Sequence, residues 1–290
     1  MIISPISYPG NKSKILKQLI PELDTNVSNF VDVFAGSGVV AVNTKYQNLY
    51  CNDISRPAME LLNYFYETSS VKIVESIELI IRKYKLTYSR IKPKDYYKVY
   101  KYEGLSNYNR EGYLKLRDSY NKKPTPEKLL VLLIYGFNHY IRFNSKGKFN
   151  VPVGKVDFSE SIFNKTVKFA NEIKEKTINT SVLDFRDNNL YQIDDAIFYF
   201  DPPYLITQAP YNINWSEKDE QDLLNILDEL NRNNKKFVLS NVLKSNGKEH
   251  SLLIEWSKKY NVIEIERQYR NANYRRKNKS DTCEVIIKNF

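Results

Sequence analysis

Two short segments of this 290-residue chain combine residue types that could do chemistry. The first is Asp32-Val33-Phe34-Ala35-Gly36-Ser37-Gly38, with Asp53 some way downstream. Glycines after an apolar run let a ligand approach the backbone closely. An acid ending the next strand can accept both hydroxyls of a ribose. Together these point to an adenosine-containing cofactor. The third glycine of a dinucleotide fingerprint is missing, and so is the Gly-Lys-Thr/Ser of a phosphate loop, which argues against NAD and ATP. The second segment is Asp201-Pro202-Pro203-Tyr204. Proline has no N–H, so the carbonyls here escape the usual sheet pairing. The Asp201 carboxylate and the Pro202 carbonyl form an acceptor pair suited to an exocyclic NH₂, and Tyr204 could stack on the ring that carries it. Taken alone, either segment could simply be a tight turn.

The surrounding pattern says what positions them. Phe30–Phe34 reads as a buried strand, Val39–Tyr46 as a helix, and Leu49–Asp53 as a second strand, which makes a βαβ unit. Ala196–Phe200 is a continuous apolar strand with the acidic tetrapeptide at its carboxyl end. Ser216 and Asp219 give a capping pattern, and Leu223, Leu227 and Leu230 share a helical face. Lys236–Ser240 reads as the next strand and Leu252–Lys259 as a helix. Val262–Glu266 and Glu284–Lys288 alternate like a terminal antiparallel pair. Both chemical segments therefore sit at strand ends of one sheet, where open α/β folds bind ligands.

From about Ser55 to Ala170 the strand signal nearly vanishes. Glu75–Lys85 and Glu127–Ile141 read as helices. Tyr96–Lys123 interleaves lysine, arginine and tyrosine. Arg142–Val151 reads as a hairpin turning at Lys146-Gly147. The expected fold is a Rossmann-like α/β sheet with an inserted, mainly helical domain carrying a β-hairpin. Its boundaries fall at 1–55 and 171–290 for the sheet domain and 56–170 for the insertion.

Composition sets the remaining bounds. Lys and Arg number 44 against 34 Asp and Glu, a net charge of +10 that favours a polyanionic partner. A hydrophobic content of 42% can fill a core, so bulk disorder is excluded. No apolar run is long enough to span a bilayer, and the N-terminus lacks the pattern of a secretory signal. The two cysteines, Cys51 and Cys283, cannot build a disulfide framework or a four-cysteine zinc site. His139 and His250 have no partners at metal or catalytic spacing and read as structural. Most of the 23 tyrosines read as core or surface filler. The expectation is a cytoplasmic protein with no membrane partner and no metal.

With these residues in order, the chain resembles the Dam-type (D12 class, group α) DNA adenine-N6 methyltransferases. Tyr8-Pro9-Gly10-Asn11-Lys12 is similar to that family's N-terminal cofactor motif, and Asp184-Phe185 to its third motif. Phe149-Asn150-Val151-Pro152-Val153-Gly154 resembles the end of its DNA-contacting hairpin, and Leu239-Ser240-Asn241 the motif after the catalytic strand. Two positions depart from the pattern. Val33 stands where the family often has proline, and Asn11 where it usually has glycine.

The resemblance implies S-adenosylmethionine as methyl donor and adenine N6 in duplex DNA as acceptor, reached by flipping the base. It implies that Asp201, Pro202, Pro203 and Tyr204 are catalytic. Tyr8, Pro9, Gly10 and Lys12 would contact the donor's methionine end. Asp32, Phe34, Gly36 and Gly38 would line the turn beneath it. Asp53 would hold ribose, Asp184 and Phe185 the adenine of the donor, and Asp201 would border donor and acceptor alike. Arg142, Asn144, Lys146, Lys148 and Asn150 of the hairpin would meet DNA. The cluster Arg267, Arg270, Arg275, Arg276, Lys277 and Lys279 would hold phosphates. A monomer is expected, with a cognate restriction endonuclease as a functional partner. Two rivals are a methyltransferase for another amino group (cytosine N4, RNA adenine or protein glutamine) and an inactive DNA-binding regulator.

Overall fold

The computed structural model describes every residue except 7–9, 11, 24, 98–103, 208–214 and 266–281. Among the described residues eight strands form one sheet. They are β1 (Asn29–Asp32), β2 (Asn48–Asn52), β3 (Thr177–Ser181), β4 (Ala196–Phe200), β5 (Lys236–Ser245), β6 (Lys248–Glu249), β7 (Asn261–Glu264) and β8 (Cys283–Lys288). The order is β3-β2-β1-β4-β5-β8-β7, with β6 paired to β5 off this path. Strands β1 to β5 pair in parallel, and β8 runs antiparallel between β5 and β7. β1 pairs with β2 on one side and with β4 on the other. The chain's winding reverses there, and the crevice beyond the carboxyl ends of such strands is where ligands bind.

The expected strands are present, β4 with the expected bounds. β3 was not foreseen. In Thr177-Ile178-Asn179-Thr180-Ser181 only Ile178 is buried, because this is an edge strand whose backbone pairing with β2 does the work that side-chain burial does elsewhere. β5 runs five residues past the expected end and folds back through Asn246-Gly247, both with positive φ (51° and 76°), into β6. That is the backbone pattern an Asn-Gly hairpin turn requires.

Nine α-helices accompany the sheet among the described residues: α1 (Leu16–Glu22), α2 (Val39–Asn43), α3 (Arg56–Glu67), α4 (Ser70–Lys83), α5 (Ser106–Lys122), α6 (Pro126–Tyr135), α7 (Glu160–Lys174), α8 (Glu217–Arg232) and α9 (Ser251–Ser257). α2 stops three residues before the expected Tyr46, because Thr44 is extended and its hydroxyl bonds the Ala41 carbonyl at 2.8 Å. α6 stops at Tyr135 rather than Ile141. Residues 151–154 capture the backbone beyond it: Gly136 bridges Val153, and the Gly154 N–H donates to the Tyr135 carbonyl at 2.7 Å. Residues 106–122 of the basic, tyrosine-rich stretch fold as α5, whose buried positions Asn109, Tyr113, Leu116 and Tyr120 recur at helical spacing. Two of its tyrosines are therefore core, as the bland reading held. The capping box of Ser216 and Asp219 opens α8 as expected.

β4 shows why the sheet is buried on both faces. Ile197 and Tyr199 join one apolar cluster, while Phe198 and Phe200 join the other with Leu223, Leu227 and Trp256 of α8 and α9. The period of two sends alternate side chains to opposite faces. The first cluster runs without a break from Phe30 and Leu49 through Leu61 and Phe65 of α3 to Leu130 of α6 and Phe169 of α7. No described helix is long and apolar enough to cross a membrane.

Asn52 ties the strand ends together. Its amide donates to the carbonyls of Val33 (3.1 Å) and Leu183 (3.0 Å), and its carbonyl accepts from the Ser181 hydroxyl (2.8 Å) and the Leu183 N–H (2.9 Å). The side chain is buried. Asn52→Ala strands several of these partners and should cost about 2–3 kcal/mol of stability, read as a lower midpoint in urea unfolding. An unchanged midpoint would show that the amide holds nothing together.

Candidate active site

The carboxyl ends of β1, β2 and β4 open on a cavity of about 350 Å³. Its wall includes Gly10, Lys12, Asp32, Phe34, Gly36, Asp53, Asp184, Phe185, Asp201, Pro202, Pro203 and Tyr204. Twelve expected site residues thus meet around one space, from segments as far apart as Gly10 and Tyr204. Tyr8 and Pro9 lie outside the described residues.

Gly38 does not line this cavity. It precedes α2 with φ +68°, and a Cβ there would sit 2.7 Å from a methyl of Leu62 in α3. Its glycine is demanded by backbone conformation and close packing. Gly36 does line the cavity, and its N–H donates to Asp53 Oδ2 at 2.8 Å. Asp53 Oδ1 accepts from the Ser55 N–H at 2.8 Å. The carboxylate expected to hold ribose therefore also fixes the glycine turn.

The cavity concentrates acid. Burial, then the charges of Asp201 and Asp53, push the Asp32 carboxyl well above its ordinary 3.8. Its Oδ1 is buried without a hydrogen-bond partner. Burial raises Asp53, opposed by the N–H groups of Ser55 and Gly36. Burial raises Asp201 as well, opposed by the neighbouring Lys12 ammonium. Lys12 Nζ lies 2.6 Å from Asp201 Oδ1, and its side chain is only 4% exposed. The lysine expected at a donor's methionine end lines the cavity and is paired there with the tetrapeptide's carboxylate.

The tetrapeptide keeps acceptors open. Among the described residues Asp201 Oδ2 and the Pro202 carbonyl take no hydrogen bond. The Tyr204 hydroxyl lies 3.2 Å from Asp201 Oδ1. Its ring is buried, with the Lys12 ammonium 4.8 Å from its centroid. One face is thus covered, which leaves at most the opposite face for a stacked base.

Across the cavity, Phe34, Phe185 and Trp215 form a trio with centroids 5.2 to 5.9 Å apart. Its rings in mutual contact, such a trio makes one apolar wall of a slot for a flat ring. The Trp215 indole N–H donates to the buried Glu220 at 2.7 Å. Asp184 borders the slot and pairs with Arg186, which lies over the Phe185 ring at 4.2 Å and also grips Asp219 and Asp222. Hydrogen bonds from Ser216, together with Arg186, hold Asp219 down at about 2.

Four residues described at this site were not foreseen: Trp215, Asn52, Arg186 and Glu284. Trp215 directly precedes the capping box, so only its place before α8 marked it. Glu284 stands in β8, where burial runs unbroken from Glu284 to Ile287. An acid inside a strand buried on both faces needs a partner, and that was the signal available in the sequence.

The hairpin turns at Lys146-Gly147 as expected, with a Phe143–Phe149 bridge and Gly147 at φ +68°. Arg142, Asn144, Lys146 and Lys148 are exposed on it. The two asparagines also hold the turn itself. Asn144 Oδ1 accepts from the N–H groups of Lys146 and Lys148, and Asn150 Oδ1 accepts from Arg142. The cluster from Arg267 to Lys279, with Arg270, Arg275 and Arg276, lies outside the described residues. His139 Nδ1 contacts the Leu133 carbonyl, and His250 caps α9 and lies 3.1 Å from Glu220, which fits a structural role for both.

The model of the D12 class N6 adenine-specific DNA methyltransferases matches residues 8–271. The chain belongs to this family. The type II methyltransferase M.FokI of Planomicrobium okeanokoites is 34% identical over 298 residues, covering 100% of this chain and 43% of that protein. Modification methylase StsI of Streptococcus sanguinis is 33% identical, again over 100% of this chain and 43% of its own length. The chain therefore spans less than half of these two relatives. A DNA adenine methylase of Escherichia coli K12 is 22% identical, covering 71% of this chain and 66% of that protein. The D12 match takes in both cavity-lining tetrapeptide and glycine turn, and the Rossmann-like order of the sheet agrees with it.

The buried acids set a pH dependence. The folded-state pKa of Asp32 exceeds its unfolded value, so the folded chain binds the proton more tightly. Stability then falls as pH rises from about 3.8 through the raised folded pKa, and the loss is complete above it. Asp32→Asn should raise the thermal midpoint at pH 7–8, on the order of 2–4 °C per kcal/mol recovered, and change little near pH 3. A midpoint lowered equally at both pH values would contradict this.

Proposed function

We propose that this chain transfers a methyl group from S-adenosylmethionine to the N6 of an adenine extruded from duplex DNA. The observation that carries the reading is the pair of unbonded acceptors, Asp201 Oδ2 and the Pro202 carbonyl, on the same cavity as the glycine turn and the partnerless Asp32 Oδ1.

The residues fit the donor. Its cationic end matches the acid-rich floor, where Asp32 offers an unpaired buried oxygen. Its ribose hydroxyls suit Asp53, and its adenine suits the slot of Phe34, Phe185 and Trp215 beside Asp184. Gly10 and Gly36 leave room for it at the turn, with Tyr8 and Pro9 completing the motif. When bound, S-adenosylmethionine supplies an electrophilic methyl on a sulfonium.

The chain's own residues act on the amine. The N6 lone pair is delocalised into the purine and is a poor nucleophile. Two acceptors, Asp201 and the Pro202 carbonyl, draw the two N–H bonds out of the ring plane and favour a more tetrahedral nitrogen. The Asp201 carboxylate then faces the positive charge that grows on N6, an electrostatic stabilisation of the transition state. Pro202 and Pro203 stiffen the chain that carries these groups, and Tyr204 borders the base.

The exposed hairpin carrying Arg142, Lys146 and Lys148 supplies a DNA-facing surface, joined by the basic cluster with Arg270, Arg275 and Arg276. We assign 1–55 and 171–290 to the catalytic domain and 56–170 to target recognition. α3 and α7, at the two ends of that insertion, share the core of the sheet, so reading DNA falls to the part between them. Modification methylases among the relatives support a paired restriction endonuclease as functional partner. A monomer acting on DNA in the cytoplasm completes the reading.

Methylome sequencing of DNA from cells expressing the protein should show N6-methyladenine at one sequence motif. Methylated RNA or peptide with unmodified DNA would overturn the reading. Asp201→Ala should slow transfer by about a hundredfold to a thousandfold or more while duplex binding survives in a gel-shift assay. Asp53→Ala should mainly raise KM for the methyl donor, by about tenfold for a lost pair of charge-assisted hydrogen bonds. An unchanged KM would mean that the end of β2 does not meet the donor.

A further inference from the structure

Glu284 has no role in the chemistry above, yet it is one of the most deeply buried charged side chains near the site, at 1% exposure. It projects from β8 toward the tetrapeptide. Its Oε1 lies 3.3 Å from the Tyr204 hydroxyl and 3.9 Å from Lys12 Nζ. The same hydroxyl and the same ammonium reach Asp201 Oδ1, at 3.2 and 2.6 Å. Two carboxylates from strands on either side of β5 therefore share both donors.

Burying a second carboxylate beside the first is unfavourable unless it does something. Two effects follow from the geometry. The first is orientation. Lys12 is held between the two carboxylates at Oδ1 of Asp201, and the single Tyr204 O–H is shared between the same two acceptors, which leaves Oδ2 of Asp201 without a partner among the described residues. The second is charge. An ammonium at 2.6 Å from Asp201 would by itself cancel the carboxylate where a positive charge must grow. With Glu284 the lysine's ammonium faces a second carboxylate, so its charge is shared between two acids.

We propose that Glu284 is a positioning residue for methyl transfer: it anchors Lys12 and Tyr204 on one oxygen of Asp201 and offsets the lysine's charge. This rests on the adenine-methyltransferase reading. Glu284 touches neither reactant in this account and acts through the residues that do.

The test uses the whole chain with bound donor and duplex DNA, in single-turnover assays that keep slow variants readable. Glu284→Gln retains an acceptor for Tyr204 and Lys12 but removes the charge. Its transfer rate should fall about tenfold or more, while donor affinity by calorimetry changes less than about twofold. Combined with Lys12→Met, which removes the opposing charge, Glu284→Gln should add less than about a twofold loss. A normal rate in Glu284→Gln would overturn the proposal. So would an equal loss in both backgrounds, or a loss of donor affinity as large as the loss of rate. A loss of thermal midpoint that accounts for the slower rate would overturn it too. If the wild-type protein methylates no DNA, the failure lies with the functional reading and not with Glu284.

Discussion

The arrangement of this site turns on how one carboxylate is held. Asp201 is pushed toward its neutral form by burial and pulled back by Lys12. The Lys12 ammonium favours the charged form that burial opposes. An acceptor with one oxygen pinned and the other open is what a weakly nucleophilic amine needs. The Pro202 carbonyl beside it is open as well among the described residues. Much of the surrounding structure can be understood as serving that balance.

The sheet supplies the convergence. Parallel pairing of β1 with both β2 and β4 brings Asp32, Asp53 and Asp201 to one edge, although nearly 170 residues separate the first from the last. Mutual repulsion among these acids is offset locally. Asp53 spends its oxygens on the N–H groups of Gly36 and Ser55, Asp201 has Lys12, and Asp32 keeps one oxygen unpaired. Asn52, with bonds to both neighbouring segments, keeps the edge from splaying. The D12 family match agrees with this layout.

Much of this was legible in the residues. Ala196–Phe200 declared itself as a strand because its apolar run is short, rich in aromatics and closed by Asp201-Pro202, whereas the longer apolar run of α6 is a helix. Ser216 and Asp219 declared the start of α8 because their bonds are local. The glycine turn and the acidic tetrapeptide were visible as types, and their meeting followed from strand-end placement. What was not visible is non-local. β3 hides because its stability comes from backbone pairing with β2 and not from its own side chains. The end of α6 is set by residues 151–154, which its own sequence does not encode. Gly38 looked like a ligand-facing glycine, yet the close approach of Leu62 is what requires it. That Asn144 and Asn150 also brace their own turn was not visible, because their partners are set by the hairpin's fold. Glu284 was passed over because alternation marks a strand without saying which of its residues faces a site. The conformation of the basic cluster around Arg275 falls outside the described residues.

The central claim is geometric, and a crystal structure of the protein with an unreactive donor analogue and a duplex containing its target sequence tests it most directly. The account predicts an extruded adenine whose N6 lies within hydrogen-bond distance, about 2.7–3.2 Å, of both Asp201 Oδ2 and the Pro202 carbonyl. An adenine left in the helix, or one whose N6 meets neither oxygen, would contradict it.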